Sequence, residues 1–231
     1  MIGGTKMNKE ILIGNHKVEE LERRDFLCEV RAEPIEGESV LRGRPIVFES
    51  ETDLGWFSEI IDRGALDKTD LRDVRFLVNH DISKIPLARS RRNNGNSTMT
   101  LMPNEFGMDI EVHLDTENNA EAKSLYSAVQ RGDITGMSFM FSVDRDEWSD
   151  LDSDHPTRRI MSIANVVEVS ACTFPAYDDT EIYARSKEAL ENARSALDSA
   201  RQQKADPVDT GIELAKAKFN FILKLGGMQN E

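Results

Sequence analysis

Apolar and polar residues alternate along most of this chain. That period of two suits an extended strand with one buried face. Phe26, Cys28, Val30 and Ala32 point one way, with mainly charged residues between them. VLRGRPIVF (40–48) is a second such stretch, and Pro45 predicts an edge or a bulge in it. VRFLVNH (74–80), IPLARS (85–90), STMTLMP (97–103) and FGMDIEVHL (106–114) follow. TGMSFMFSV (135–143), RRIMSIA (158–164) and VVEVSACTFP (166–175) complete the set. Asn94-Gly95 predicts a hairpin between the strands at 85–90 and 97–103. Residues 50–70 mix turn residues with a short helical pattern, and 144–156 read as an acidic loop.

The period changes between 115 and 131. Asp115 or Thr116 caps a helix carrying Ala120, Leu125, Ala128 and Val129, and Gly132 ends it. A second change comes after Tyr177. Residues 186–204 and 210–227 each show helical spacing, broken by KADPVD. The expected fold is α+β and mostly β: a barrel-like antiparallel β core with flanking helices and a helical C-terminal tail. The expected organisation is a flexible lead-in at 1–25, a domain at 26–185 and a helical tail at 186–231.

Charge narrows the partners. The 231 residues hold 29 Lys plus Arg against 42 Asp plus Glu, a net charge of −13. That argues against a chain built mainly to grip nucleic acid, which needs a basic face, and against docking on an anionic membrane. No apolar run approaches the ~20 residues that span a bilayer. The first residues, MIGGTKMNKEILIG, lack a secretory signal, and Met7 is a second candidate start. Cys28 and Cys172 cannot form a disulfide framework, which points to a reducing cytoplasm.

Three residues carry the candidate chemistry. His80 ends an apolar strand and falls on the parity of Val74, Phe76 and Val78; it is either a satisfied core residue or a positioned base. Ser138, in ITGMSFMF, shares a face with Met140 and Ser142, and Gly136 allows close backbone approach. It is a tolerated strand serine or a nucleophile, and a nucleophile requires a base within hydrogen-bond reach. Glu168 should share a face with Val166, Ser170 and Cys172. It is either a carboxylate at the solvent edge or the group that orients and stabilises an imidazolium. Cys172 is a rival nucleophile, although its VSACTF setting is that of a small core residue.

Other features have plainer explanations. Among the remaining histidines, His16 and His155 should be solvated, and His113 should sit outside with Asp109 and Glu111. Asp150-x-Asp152-x-Asp154 lacks the glycine and glutamate of a calcium loop, since His155 and Met161 stand there. Asp209-Thr210-Gly211 resembles an aspartic-protease triplet, but Thr210 with Glu213 makes a capping box. Arg89, Arg91 and Arg92 flank the expected hairpin as exposed turn charge. Neither a metal nor a cofactor is called for.

Six segments in order resemble the prohead proteases of tailed bacteriophages, a serine peptidase family related in fold to herpesvirus assemblins. They are VLRGRPIVF, GWFSEIIDRGAL, VRFLVNHD, PLARS, GDITGMSFMF and VVEVSACTFPAYDDTEI, covering about 40–185. The resemblance implies Ser138 as nucleophile, His80 as general base and Glu168 as the acidic third member. Cys172 departs from the small or aliphatic residue expected there.

The implied activity is a serine endopeptidase of capsid maturation. It would work inside the assembling prohead in the host cytoplasm, cutting scaffold protein or the scaffold-like arm of the major capsid protein, and itself. The mechanism would be acyl transfer, with backbone amides near Gly136, or Arg158 or Arg159, as oxyanion donors. Implied partners are the major capsid and scaffold proteins, with possible self-association. Two other classes stay open: an inactive capsid-assembly or scaffolding protein, and a thiol hydrolase using Cys172.

Overall fold

The computed structural model describes residues 12–13, 16–17, 21–26, 30–35, 37–91, 97–173 and 187–205. In chain order the strands are β1 (Leu12–Ile13), β2 (His16–Lys17), β3 (Glu22–Phe26), β4 (Arg31–Ile35), β5 (Glu38–Val47), β6 (Glu51–Asp53) and β7 (Ser58–Ile61). After them come β8 (Asp73–Val78), β9 (Ala88–Arg91), β10 (Met99–Asn104), β11 (Gly107–Leu114), β12 (Gly136–Ser149) and β13 (Thr157–Cys172). The helices are α1 (Ala120–Arg131) and α2 (Lys187–Ala205). The chain is mostly β, as expected. Neither described helix is long and apolar enough to cross a membrane.

A closed barrel is not found among the described residues. One sheet is four-stranded, in the order β10-β11-β5-β4, and is antiparallel throughout. The larger sheet runs β3-β12-β13-β7-β6, with β8 beside β13 and β9 beside β8. This sheet is mixed, because β13 pairs in parallel with β7 near its start and with β8 near its end. Sixteen residues of β13 give it room for both partners. The expected antiparallel barrel is therefore corrected to two larger open sheets, one of them mixed, with β1 and β2 forming a separate two-stranded antiparallel pair.

Both sheets feed one core. Leu41 and Ile46 from β5, Met108 and Ile110 from β11, Phe76 from β8 and Phe139 and Phe141 from β12 are all buried in it. Helix α1 closes it with Ala122, Leu125 and Val129, at the spacing of one helical face. Its cap is Asn119, whose side chain accepts from the backbone N–H groups of Glu121 and Ala122. Asp115 instead caps the preceding turn, accepting from the Asn118 N–H. Gly132 ends the helix in the left-handed conformation, as expected.

Other local expectations shift. The acidic segment is mostly strand: β12 continues to Ser149, leaving only 150–156 as the connection to β13. Residues 50–70 form β6, β7 and turns rather than a helical piece. Asn94-Gly95 lies outside the described residues, but its flanking strands belong to different sheets. β9 pairs with β8, and β10 pairs with β11. The segment expected to be a flexible lead-in contributes β3, which pairs with β12.

The chain divides into two compact units, 1–194 and 195–231. Helix α2 confirms helical spacing over 187–205, with Ala193 and Leu197 buried one turn apart. The second tail helix expected at 210–227 lies outside the described residues.

Candidate active site

Strand β8 ends at Val78, and two consecutive residues then take positive φ: Asn79 at 51° and His80 at 57°. Asn and His tolerate this region better than most residues, though each still costs about 1–3 kcal/mol. The turn is pinned on both sides. The Asn79 N–H donates to Ala171 O at 3.0 Å, and the Asn79 side chain exchanges two 2.9 Å hydrogen bonds with Thr173. A straight continuation of β8 would have kept His80 on the core parity of Val78. The turn carries its ring to the opposite face of β13, where Glu168, Ser170 and Cys172 lie.

There His80 Nδ1 meets Glu168 Oε1 in a short, buried hydrogen bond. Ser170 Oγ donates to the other oxygen, Glu168 Oε2, at 2.7 Å. The same hydroxyl accepts the His80 backbone N–H at 3.0 Å. An ionised carboxylate only accepts, so Nδ1 carries the imidazole proton and Nε2 is the proton-accepting nitrogen. Cys172 Sγ lies 3.9 Å from Nε2. His80 is buried, with Glu168 at 1% exposure and Cys172 at 3%.

Ser138 is the antiparallel partner of Ser170 across the β12–β13 ladder. Partners on one face have Cβ atoms about 4.5–5.5 Å apart, so Ser138 stands one cross-strand step from the residue that anchors His80. Its hydroxyl donates to the Arg24 carbonyl of β3 at 2.8 Å, and the residue is fully buried. A serine hydroxyl has one proton to give. In this arrangement it goes to the main chain of β3, so the structure groups His80 with Glu168 but does not hand the Ser138 proton to the imidazole.

The expected face was wrong at one position. The ladder slips between Met140 and Phe141, so that Met140 faces Glu168 while Phe141 faces Val166. The extra residue, Val167, returns Val166 to the core beside Val169. Glu168 therefore shares its face with Ser170 and Cys172 only.

Arg158 and Arg159 are committed elsewhere. Arg158 donates to Glu22 at 2.7 and 2.9 Å, to Glu59 at 3.1 Å and to Asp146 at 2.6 Å. Arg24 completes this buried cluster, donating to Glu22 at 2.5 Å and to both oxygens of Glu59. Burial works against all these charges. For Arg24 the Glu59 and Glu22 carboxylates outweigh it and raise its pKa; for Glu22, Arg24 and Arg158 outweigh it and lower its pKa. Arg159 pairs with Glu49 and Asp62 on a more open surface. Both guanidiniums are thus engaged in ion pairs.

The outlying histidines also have partners. His113 Nδ1 lies 2.6 Å from Glu38 and its Nε2 lies 3.0 Å from Glu111. His155 Nε2 is 3.1 Å from Ser58 Oγ. A groove of about 540 Å³ borders the His80 turn, with Asn79, Asp81, Ile85, Leu87, Leu125 and Ile134 among its walls. A cavity of about 660 Å³ between Phe48, Leu66, Met99 and Leu101 contains none of the candidate residues.

Sequence reasoning missed Ser170 as the link between His80 and Glu168. Its only signal was the two-residue step from Glu168, which puts both on one strand face. It also missed Glu22, Arg24 and Glu59, which carry no local signature because their partners come from distant strands.

A prohead protease of Enterobacteria phage HK97 is 31% identical over 125 residues, 53% of this chain and 50% of the relative. The chain thus spans about half the length of that curated relative. The structure of the bacteriophage T4 capsid assembly protease, gp21, aligns over 68% of this chain and 98% of that one, at 10% identity and a TM-score of 0.41. The family model of the caudovirus prohead serine protease matches residues 27–195, taking in β4 to β13, His80, Ser138 and Glu168, and the chain belongs to that family.

Proposed function

We propose that this chain is a serine endopeptidase of prohead maturation, with Ser138 as nucleophile, His80 as general base and Glu168 as its orienting carboxylate. The observation that carries this is the His80–Glu168 pair. It leaves Nε2 as the proton acceptor on the face of β13 where Ser138 stands opposite Ser170. Ser138 Oγ attacks the scissile carbonyl and passes its proton to His80 Nε2. Glu168 stabilises the imidazolium so formed. His80 then returns the proton to the leaving amine, and water resolves the acyl-enzyme by the same route.

The groove beside the His80 turn suits an apolar substrate side chain, and the exposed Ile85 on its wall adds apolar surface. The substrates we assign are the scaffold protein or the scaffold-like arm of the major capsid protein, and the chain itself. The place of action is the assembling prohead in the host cytoplasm. Residues 26–185 would form the protease domain, and 186–231 would serve assembly, delivery or self-removal.

One observation favours a second reading. Cys172 Sγ is within 3.9 Å of Nε2, so a thiol nucleophile would need little movement. Co-expression with the capsid and scaffold proteins, followed by mass analysis of all products, separates the readings. Cleavage that vanishes in Ser138→Ala and survives in Cys172→Ala supports the serine enzyme. The reverse pattern supports the thiol. Uncut proteins with the unaltered chain leave an inactive assembly factor and overturn the proposal.

A further inference from the structure

The face of the larger sheet that carries Glu168 and Ser170 continues onto β8 and β9. Glu168 pairs with Arg75 of β8 and Ser170 with Leu77, while the next pair, Val169 with Phe76, turns into the core. Arg75 in turn stands opposite Arg89 of β9, and Asp73 stands opposite Arg91. Directly opposed residues share a face, so three guanidiniums and one carboxylate follow Glu168 across the sheet. Exposure rises along the row. Glu168 is at 1%, whereas the side chains of Arg75, Arg89 and Asp73 are at 27%, 36% and 45%.

An arginine directly opposite an arginine is a pairing that repels. Asp73 relieves it in part. Arg89 donates to both of its carboxylate oxygens, and Arg75 reaches one of them at 3.4 Å. The Arg89 hydrogen bonds, with the charges of Arg75 and Arg91, outweigh burial and hold the Asp73 carboxyl below the ordinary aspartate range. One carboxylate among three guanidiniums still leaves this row positive, in a chain whose net charge is −13.

We infer that Arg75, Arg89 and Arg91 form a subsite for the carboxylates of an acidic, extended segment of the substrate, several residues from the bond that is cut. This deepens the proposed function and rests on the reading of Ser138 as nucleophile. Guanidinium and carboxylate match as planar forks. Arg89 and Arg91 are alternate residues of one strand, about 6.8 Å apart, which is also the step between alternate side chains of an extended peptide. Three strand spacings of about 4.8 Å separate β12 from β9, a span of about four residues of extended chain. The acidic remainder of the protein repels such a segment, so the positive row sets where it settles. A nucleic acid presents phosphates along its whole length, and three arginines in so acidic a chain give it little to follow.

The test uses the full chain carrying Ser138→Ala, which holds a peptide without cutting it. Fluorescence anisotropy compares a labelled peptide of four Thr-Glu repeats with its Thr-Gln counterpart. The glutamate peptide should bind about tenfold more tightly. Arg75→Gln with Arg89→Gln should close that gap, and Arg75→Lys with Arg89→Lys should keep part of it. Equal binding of the two peptides, or a gap unchanged by the glutamine pair, overturns the inference. So does an oligothymidine that binds more tightly than the glutamate peptide. Should the glutamine pair fail to fold, hydrogen exchange of the Ser138→Ala chain locates the bound peptide. Slowed exchange in β8 and β9 supports the subsite, and protection confined to other strands overturns it. With Ser138 in place, the glutamine pair should raise KM for capsid or scaffold protein about tenfold, with a smaller change in kcat. A fall in kcat alone overturns the subsite. Cleavage that persists in Ser138→Ala overturns the nucleophile instead, whatever the peptides show.

Discussion

The hydroxyl of Ser170 accepts the backbone N–H of His80 and donates to Glu168, joining the histidine and its carboxylate partner through one side chain. Ser170→Ala would leave a buried N–H and a buried carboxylate oxygen each short of a partner, costing about 1–3 kcal/mol per group. The expected outcome is a lower melting temperature. Peptidase activity should also fall about 100-fold, because the ring loses its fixed position. Ser170→Thr, which restores the hydroxyl, should recover part of both. Activity unchanged in Ser170→Ala would show that the Asn79–Thr173 contacts alone hold the turn.

In the proposed mechanism, Glu168→Gln removes the charge that stabilises the imidazolium. Loss of the equivalent carboxylate from a Ser-His-Asp enzyme costs about 10⁴ in turnover, and we expect a fall of at most that size here. Ser138→Ala should abolish cleavage in a folded chain whose melting temperature falls only modestly, by the loss of the buried hydrogen bond to the Arg24 carbonyl, about 1 kcal/mol. Steady-state kinetics on a capsid-derived peptide checks both. Near-full activity in Glu168→Gln would remove it from the site.

How much of this was legible in the chain depends on the range of the interactions. Strand alternation and the α1 helix are local patterns, and Gly132 ended its helix where expected. The parity of His80 misled because strand parity assumes an extended chain, whereas Asn79 and His80 both turn left-handed. Val166 misled for a related reason: a bulge at Val167 resets the alternation. The ion cluster was invisible because Glu22, Glu59 and Arg158 meet only after β3, β7 and β13 have assembled. Barrel closure was overestimated because alternation gives a strand's faces but not its neighbours.

His113 should make stability depend on pH. Its hydrogen bond to Glu38, which outweighs burial, and a second to Glu111 raise its pKa above the usual 6.5. A raised folded-state pKa means the stabilisation is fully present below about pH 6.5 and is lost as pH rises through the folded value. Urea unfolding from about pH 6 to pH 9 should show His113→Gln closing its stability gap to the unaltered chain as pH rises. A gap that widens with pH would contradict this.

Gly107 tests the β10–β11 turn. It has φ of 150°, and a Cβ there would lie 1.9 Å from the Ile46 carbonyl oxygen. That contact is with backbone of the neighbouring strand, so side-chain motion cannot relieve it. Gly107→Ala should lower the melting temperature markedly, whereas Gly37→Ala, which meets nothing within 4 Å, should suffer only the backbone strain. Calorimetry on the two variants gives the comparison.

The left-handed conformation of His80 changes what a knock-out there means. Alanine would remove the proposed base and also place an ill-suited residue at φ of 57°, so lost activity would mix lost chemistry with strain. Asparagine accepts that backbone and offers no comparable base, which makes His80→Asn the cleaner loss-of-function change. The same asymmetry acts on drift. Gly and Asn, the substitutions the backbone forgives most readily, both silence the chemistry. If His80 is the base proposed above, a descendant that lost that function could keep its architecture almost undisturbed, and its history would be written at this one position.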